Sequence, residues 1–285
     1  MRNLTEANLT DAVLAKLEGS SDPRFKQIMT SLIRHLHAFV REVQLTEAEW
    51  FAGIQFLTAT GQKCDDRRQE YILLSDTLGV SMLVDAINHR KPSGATESTV
   101  LGPFYATGAP ERPLGANIAE GVDGEPTYFS GRVRTPDGLP IGGAMLDLWS
   151  TDGEGLYDQQ RGDGQMRARG KIKADADGRY SFWTIKPVSY PIPTDGPVGK
   201  MLLKTGRHPY RPAHTHMIVS APGYEAVATH VFVEGDRYLE SDAVFGVKNS
   251  LVAKFVRHEA GVAPDGKRMD RPYYTVNYDF GLKAA

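Results

Sequence analysis

The spacing of apolar residues changes once along this chain, at Lys91-Pro92-Ser93-Gly94, and this change constrains the fold more than any other feature. Before it, apolar residues recur at helical spacing, as they do from Phe25 to Val40. After it, short apolar runs alternate with turns such as Pro136-Asp137-Gly138, which is typical of strands. The sequence therefore predicts an α+β protein with a helical N-terminal domain over residues 1–100 and a β-domain over residues 101–285.

Three helices are predicted before the break. Asp22-Pro23 is typical of an N-cap followed by proline at the first helical position, and Thr46-Glu47-Ala48-Glu49 matches a capping box. A further helix is predicted from Gln69 to His89. Such amphipathic helices need a partner surface, which is either the domain that follows or a second copy of the chain.

The β-domain is predicted to be a mainly antiparallel sandwich whose long loops carry function. Its strands are spaced as in sandwiches, and two long connections, Thr151–Gly170 and Lys186–Tyr210, interrupt them. The aromatic-rich end, Tyr273–Phe280, is expected to return as a strand. The other predicted strands are Tyr128–Val133, Ala144–Trp149, Arg179–Trp183, His216–Ser220 and Ala226–Val233.

Charge and composition exclude several classes of function. The net charge of −2 over 285 residues gives no electrostatic attraction for nucleic acid or for an anionic membrane. The single cysteine, Cys64, cannot form an intrachain disulfide or a cysteine-rich metal cluster. The polar start of the chain lacks the pattern of a secretory signal, and no run of about 18 apolar residues predicts a membrane span. We therefore expect a cytoplasmic protein without nucleic-acid or membrane partners.

His214-Thr215-His216 is the first candidate for chemistry. The run leads into Met217-Ile218-Val219 and is expected to lie on a strand, where alternate side chains share a face. The two imidazoles would then point the same way from Cα atoms roughly 7 Å apart, which suits one shared metal ion. Two surface histidines on a half-exposed strand are the alternative.

Tyr157 and Tyr190, one in each long loop, strengthen the case for a metal. Two phenolates and two imidazoles would form a mixed oxygen and nitrogen site. Tyrosine has a free pKa of about 10 and ionises at neutral pH only beside a strong cation, whereas zinc and calcium sites prefer other ligands. Trivalent iron is the ion that best stabilises two tyrosinates. An Fe(II) site with two histidines and a carboxylate from Glu225 or Glu234 stays open as an alternative.

Four segments of the chain resemble the intradiol catechol-type dioxygenases, in the same order as in that family. They are Leu101–Tyr105, Gly155–Tyr157, Pro187–Pro193 and Arg211–His216, and the helical front resembles the N-terminal domain of the same family. The resemblance implies non-haem Fe(III), with Tyr190 leaving the metal when substrate binds. It also implies that Arg211 stabilises the reacting ring, with a surface salt bridge as the alternative for this residue. The implied metal ligands are Tyr157, Tyr190, His214 and His216.

Two features favour the hydroxyquinol branch of this family. The catechol branch has a glutamine 14 residues beyond the second ligand histidine, where this chain has His230. Asp76 could accept a hydrogen bond from a third ring hydroxyl, which catechol lacks, and an unpaired polar group would reject the smaller ring. A helix-surface charge is the alternative for Asp76. The substrate site that the resemblance implies consists of Leu73, Asp76, Val100, Leu101, Gly102, Pro103, Phe104, Ile192, Pro193, Arg211 and Val244.

The expected reaction is ring cleavage of hydroxyquinol (1,2,4-trihydroxybenzene) by O₂ to 3-hydroxy-cis,cis-muconate, whose keto form is maleylacetate. Cleavage of catechol or chlorocatechol is the nearest alternative. Residues Gly131–Trp149 and Asp175–Tyr180 also look like transthyretin-like modules, so a metal-free binding module is a more remote alternative. The resemblance further implies a homodimer through the N-terminal helices, with a lipid bound at that interface.

Overall fold

The computed structural model describes residues 2–66 and 68–285. The chain forms two compact units, one ending at Ala59 and the other running from Thr60 to Ala285. This division lies earlier than residue 100, because the helices between residues 70 and 88 belong to the unit that contains the sheets. Helices followed by sheets confirm the predicted α+β class.

The chain begins with helices α1 (Leu9–Ala15), α2 (Pro23–Glu42) and α3 (Glu47–Gln62). The Asp22 carboxylate caps α2 by accepting a hydrogen bond from the Phe25 amide at 2.9 Å. At α3 the Thr46 amide donates to the Glu49 side chain at 3.0 Å, and the Glu49 amide donates back to the Thr46 hydroxyl at 3.3 Å. Both predicted helix starts are confirmed. Within the described residues, no helix is both long and apolar enough to cross a membrane.

The predicted single helix from Gln69 to His89 is wrong. The structure has two helices there, α4 (Glu70–Thr77) and α5 (Val80–Asn88). Gly79 between them has a φ of 74°, a left-handed conformation that glycine adopts without steric cost and that commonly ends a helix. The break leaves Asp76 in the last turn of α4, where it is 3% exposed, so the helix-surface alternative for Asp76 is also wrong.

Within the described residues, the second unit contains two large sheets and two small sheets of two strands each. The strands are β1 (Glu111–Arg112), β2 (Pro126–Arg134), β3 (Met145–Trp149), β4 (Arg169–Lys173), β5 (Arg179–Ile185), β6 (Tyr190–Pro191), β7 (Tyr210–Arg211), β8 (His214–Ser220), β9 (Val227–Val233), β10 (Val252–Ala253), β11 (Val256–His258), β12 (Gly261–Val262), β13 (Arg268–Met269), β14 (Tyr273–Asn277) and β15 (Phe280–Gly281). One large sheet has the order β1-β4-β3-β8-β9-β10, and the other large sheet has the order β11-β14-β2-β15 with β5 also paired to β2; the small sheets are β6-β7 and β12-β13. The ladders β4-β3-β8-β9 are antiparallel, as predicted.

The long loops contain structure that the sequence patterns did not predict. Helices α6 (Asp158–Arg161) and α7 (Pro197–Lys204) lie within them, and short 3₁₀ helices follow at Leu239–Ser241 and Asn249–Leu251. Strand β4 was also missed, because Ile172 is its only large apolar residue and gives no clear alternation.

The hydrophobic core lies between the two large sheets and determines which face of β8 carries the histidines. Met217 and Val219 of β8 are fully buried in this core with Leu146 of β3. Because side chains alternate along a strand, His214 and His216 point to the opposite, outer face of the sheet. The long loops bring aromatic side chains over that face and bury it.

Candidate active site

His214 and His216 meet at their Nε2 atoms on the outer face of β8. The two nitrogens are 3.1 Å apart, and both side chains are almost fully buried, so the surface-histidine alternative is wrong. Nδ1 of His214 lies 2.7 Å from the Pro212 carbonyl oxygen. Because a carbonyl oxygen can only accept, Nδ1 carries the proton and the Nε2 lone pair faces the cluster. This is the tautomer that can bind a metal through Nε2.

Tyr157 and Tyr190 reach these histidines from the two long loops. Tyr157 immediately precedes α6, and its amide donates to the Gln160 side chain at 2.9 Å. Tyr190 begins β6, which pairs with β7 so that Tyr190 lies opposite Arg211. The Tyr157 hydroxyl is 2.8 Å from Nε2 of His216 and 3.0 Å from the Tyr190 hydroxyl. The structure therefore brings all four predicted ligands together at their donor atoms.

Burial favours the neutral forms of all four side chains. It raises the pKa of Tyr157 well above its ordinary value and also raises the pKa of Tyr190. It lowers the pKa of His214 to about 3 and that of His216 well below its ordinary value. Neutral imidazoles offer a lone pair to a metal, and buried phenols lose their protons only beside a strong cation. This donor set therefore fits a metal ion of high positive charge.

The carboxylates proposed for an alternative Fe(II) site are engaged or oriented elsewhere. Glu225 binds Lys91 at 3.0 Å and Lys283 at 2.5 Å. Glu234 is exposed, whereas the four ligand candidates are buried. A facial triad of His214, His216 and one of these glutamates is not present.

Arg211 is the buried cation of this cluster, so the surface salt-bridge alternative is wrong. Its Nη1 lies 3.2 Å from Nε2 of His214, and the residue is 3% exposed. Asp242 binds it through both oxygens, at 3.1 Å to Nε and 3.2 Å to Nη2, and also accepts the amides of Val244 and Gly246. Burial by itself would raise the pKa of Asp242, but Arg211 lowers it below its ordinary value. The pair is therefore ionised and holds the guanidinium in one orientation.

A second buried ion pair joins the Tyr157 loop to the segment around Phe104. Arg169, at the start of β4, donates to both carboxylate oxygens of Asp158, at 2.5 and 2.6 Å. Its Nη2 also donates to the Phe104 carbonyl at 2.7 Å. The Phe104 ring stacks on Tyr157 with ring centroids 4.5 Å apart. Arg169 therefore positions both a ligand candidate and a predicted wall residue.

A cavity of about 170 Å³ is lined by four of the predicted wall residues, but by none of the four ligand candidates and by neither Asp76 nor Arg211. Gly102 has a φ of 78°, and a Cβ atom there would lie 3.1 Å from Cε1 of His216, so glycine allows the wall to approach this histidine. Leu101 is 42% exposed, whereas Val100, Ile192 and Val244 are buried, and none of these four predicted wall residues lines the cavity. The lining residues are Leu73, Pro103, Phe104 and Pro193 with Arg68, Gln69, Glu70, Gln159 and Gln160.

Asp76 is a buried carboxyl group within the electrostatic reach of Arg211. Burial raises its pKa above the ordinary value, Asp242 acts in the same direction, and Ser81 and Arg211 act in the opposite direction. A carboxyl group in this state can accept a hydrogen bond or, once protonated, donate one. Asp76 can therefore recognise a hydroxyl group.

The chain also matches known protein families over nearly its whole length. A family described as catechol dioxygenase N terminus matches residues 22–96, and one described as dioxygenase matches residues 100–284. This chain belongs to the intradiol dioxygenases. Membership of this enzyme family excludes the alternative of a metal-free binding module, and the histidine cluster of this dioxygenase is suited to a metal ion.

Individual relatives of this intradiol dioxygenase differ in their degree of similarity. The 6-chlorohydroxyquinol 1,2-dioxygenase of Cupriavidus pinatubonensis is 53% identical over 99% of both chains. The solved hydroxyquinol 1,2-dioxygenase of Pseudomonas putida DLL-E4 is also 53% identical, over 98% of this chain and 99% of its own, with a TM-score of 0.92. The solved catechol 1,2-dioxygenase of Pseudomonas arvilla C-1 is 28% identical, over 98% and 91%, with a TM-score of 0.84.

Sequence reasoning missed three charged residues of this dioxygenase site. Asp158 directly follows Tyr157 in the sequence. Because a buried carboxylate needs a partner of opposite charge, an acidic residue next to a ligand candidate was a signal that a buried cation lies close to it. Arg169 follows 11 positions later, with nothing in its neighbourhood to indicate its role. Asp242 lies 31 residues from Arg211, and only the observation that Arg211 is buried could have prompted a search for its carboxylate.

Proposed function

We propose that this intradiol dioxygenase cleaves the ring of hydroxyquinol with O₂ and uses non-haem Fe(III) held by Tyr157, Tyr190, His214 and His216. The ring opens between two adjacent carbons that carry hydroxyl groups, and both oxygen atoms enter 3-hydroxy-cis,cis-muconate or its keto form maleylacetate. The observation that carries the proposal is that two phenol oxygens and two imidazole nitrogens lie together in the protein interior. Neighbouring donor atoms among them are 2.8 to 3.1 Å apart. Two tyrosinates offset two of the three charges of Fe(III), which neutral ligands alone would leave uncompensated.

The chain's own residues complete the chemistry around the metal. Bound Fe(III) would supply a Lewis acid that orients two ring oxygens and withdraws electron density from the ring. Ionised as a metal ligand, the Tyr190 phenolate oxygen would be the acceptor of a substrate proton, because Tyr190 is 5% exposed while Tyr157 is 0% exposed. Arg211, held by Asp242, places a permanent cation where it stabilises negative charge on the ring.

Asp76 and the pattern of similarity support a trihydroxybenzene over catechol. The Asp76 carboxyl group interacts with Ser81 and Arg211, and its two oxygens have further acceptor capacity that a third ring hydroxyl can use. Identity is 53% with the hydroxyquinol 1,2-dioxygenase of known structure but 28% with the catechol enzyme. A chlorinated hydroxyquinol belongs to the same substrate class. Catechol or chlorocatechol remains the rival substrate.

Replacing Asp76 with asparagine is expected to reduce the preference for hydroxyquinol over catechol by about tenfold or more, because the carboxyl partner of the third hydroxyl is lost. The ratio of kcat/KM for the two substrates is the measurement. Stability should not fall, because the raised pKa of Asp76 means that its ionised form destabilises the fold.

Asp137→Asn is the matched control for this change, since Asp137 lies on an exposed turn. A wild-type enzyme that prefers catechol would contradict the hydroxyquinol proposal. An unchanged ratio in the Asp76→Asn variant would remove Asp76 from substrate recognition while leaving the reaction in place.

We further propose a homodimer through the helices of residues 1–100, with residues 101–285 as the catalytic domain and a lipid at the dimer interface. The apolar face of α2 supports this, because five of its large apolar side chains are between 47% and 55% exposed. Light scattering should give twice the chain mass of 31.3 kDa, and Leu36→Asp should shift the protein to the monomer. A monomeric wild-type protein would contradict both the dimer and the lipid. The five side chains are Phe25, Ile28, Leu32, Leu36 and Phe39.

The cytoplasm is the proposed location of this enzyme. The chain has one cysteine, Cys64, which is free, and reduced thiols are typical of that compartment. Cell fractionation tests the location, and recovery outside the cytoplasm would contradict it.

A further inference from the structure

His230 is a fully buried imidazole, and neither of its ring nitrogens makes a well-formed hydrogen bond with the described residues, although the Val100 backbone lies close enough to interact with the ring. A neutral imidazole carries one N–H donor and one lone pair, and leaving them unpaired in the interior is costly. Buried polar groups in native proteins are nearly always satisfied by protein, water or ligand. The unpaired nitrogens of His230 therefore point to a bound group.

Strand register places His230 directly beside the proposed iron ligands. Strands β8 and β9 pair with His216 opposite His230, so both side chains lie on the outer face of the sheet. The His230 ring centroid is 4.1 Å from that of His216 and 4.5 Å from that of His214, on which it stacks. One nitrogen from each of the three histidines lies within 4.8 Å of the others.

The surroundings of His230 determine what kind of group it can bind. The Val100 backbone interacts with the ring, and a neutral imidazole can both donate and accept a hydrogen bond. An aromatic hydroxyl has the same two capacities, and Val100 belongs to the predicted substrate wall.

An apolar ring would fill this position without unpaired atoms. Phe232, two residues along the same strand, lies on the same face and packs against His230 with ring centroids 5.3 Å apart. Space filling therefore accounts for a ring at position 230 but not for its two nitrogens.

We infer that His230 is a substrate-binding residue, whose imidazole hydrogen-bonds an oxygen atom of the ligand held beside His214 and His216. This inference rests on the proposed function. The oxygen atom belongs either to a hydroxyl of the substrate ring or to a small ligand bound at the same centre. The role is distinct from metal ligation, so iron should stay bound when His230 is replaced.

The test compares the iron-loaded wild type with His230→Phe and His230→Gln. Anaerobic titration with hydroxyquinol, followed by the visible tyrosinate-to-iron band, gives the dissociation constant, and a parallel titration with azide probes the small-ligand position. His230→Phe should keep one iron per chain and lose about tenfold in affinity, which corresponds to one hydrogen bond. His230→Gln, which has both a donor and an acceptor, should recover most of that loss. His258→Phe on β11 is the matched control and should change neither quantity.

The outcomes separate this inference from the proposed function. If only the affinity for hydroxyquinol falls, the hydrogen bond is assigned to a ring hydroxyl. If only the affinity for azide falls, it is assigned to a small ligand. Unchanged affinity for both probes in an iron-loaded His230→Phe variant would overturn the inference, as would loss of iron from that variant while the control keeps it. If the phenylalanine variant does not fold, His230→Leu makes the same comparison. A wild type that binds no iron or does not open hydroxyquinol would overturn the proposed function itself.

Discussion

A Tyr157→Phe variant is expected to keep its fold and to lose iron binding and ring cleavage. The substitution removes one oxygen, which lies 2.8 Å from Nε2 of His216 and 3.0 Å from the Tyr190 hydroxyl, and leaves the ring stacked on Phe104. Changes to residues that only support metal ligands typically reduce metal affinity or activity 10- to 100-fold, so loss of a ligand should exceed about 100-fold. Iron content per chain, the visible tyrosinate band and turnover of hydroxyquinol are the measurements.

Tyr180→Phe is the matched control, because Tyr180 is another buried tyrosine with a bound hydroxyl. It is 2% exposed and donates to the Tyr278 carbonyl at 2.6 Å. Its loss should lower the free energy of unfolding by about 1 kcal/mol and leave iron content and turnover unchanged. If Tyr157→Phe also retained one iron per chain and full turnover, Tyr157 would not be a ligand.

The second large effect is expected for Asp242→Ala, which leaves Arg211 buried without its carboxylate. Removing one partner of a buried ion pair typically lowers the free energy of unfolding by about 3–5 kcal/mol. Turnover should also fall, by about tenfold or more, because the guanidinium loses the two bonds of 3.1 and 3.2 Å that orient it. Urea unfolding and kcat/KM measure the two effects separately.

An exposed ion pair provides the control for this stability effect. Asp177 lies 3.7 Å from Arg179, and their side chains are 68% and 58% exposed. Asp177→Ala should therefore lower the free energy of unfolding by less than about 1 kcal/mol. Equal losses in Asp177→Ala and Asp242→Ala would contradict a special role for the buried pair.

The pair of Arg211 and Asp242 also gives stability a pH dependence of known sign. The pKa of Asp242 is lowered in the folded state, so folding favours its ionised form. Its contribution is complete above the ordinary pKa of an aspartate and is lost as the pH falls through the lowered pKa. The stability difference between wild type and Asp242→Ala should therefore shrink in acid.

Local patterns were sufficient for the fold class and for the elements that depend on neighbouring residues. The caps at Asp22 and Thr46 form as predicted, because each one joins residues three positions apart. The strands around His214 and His216 also form, because alternation along one strand decides which side chains face the core. The break at Gly79 was missed because apolar spacing continues on both sides of it, and only the left-handed backbone conformation ends the helix.

Contacts between distant parts of the chain were decided by tertiary structure alone. The ion pair of Arg211 and Asp242 joins residues 31 positions apart, and the bond from Arg169 to the Phe104 carbonyl joins residues 65 positions apart. No local periodicity records such pairings, because the partners meet only after the sheets and loops have packed. The identities of Tyr157, Tyr190, His214 and His216 could be read from motifs in the sequence. Only the folded chain buries these four side chains. Their burial determines that the donor atoms lie together, that water is excluded around them and that the side chains are neutral.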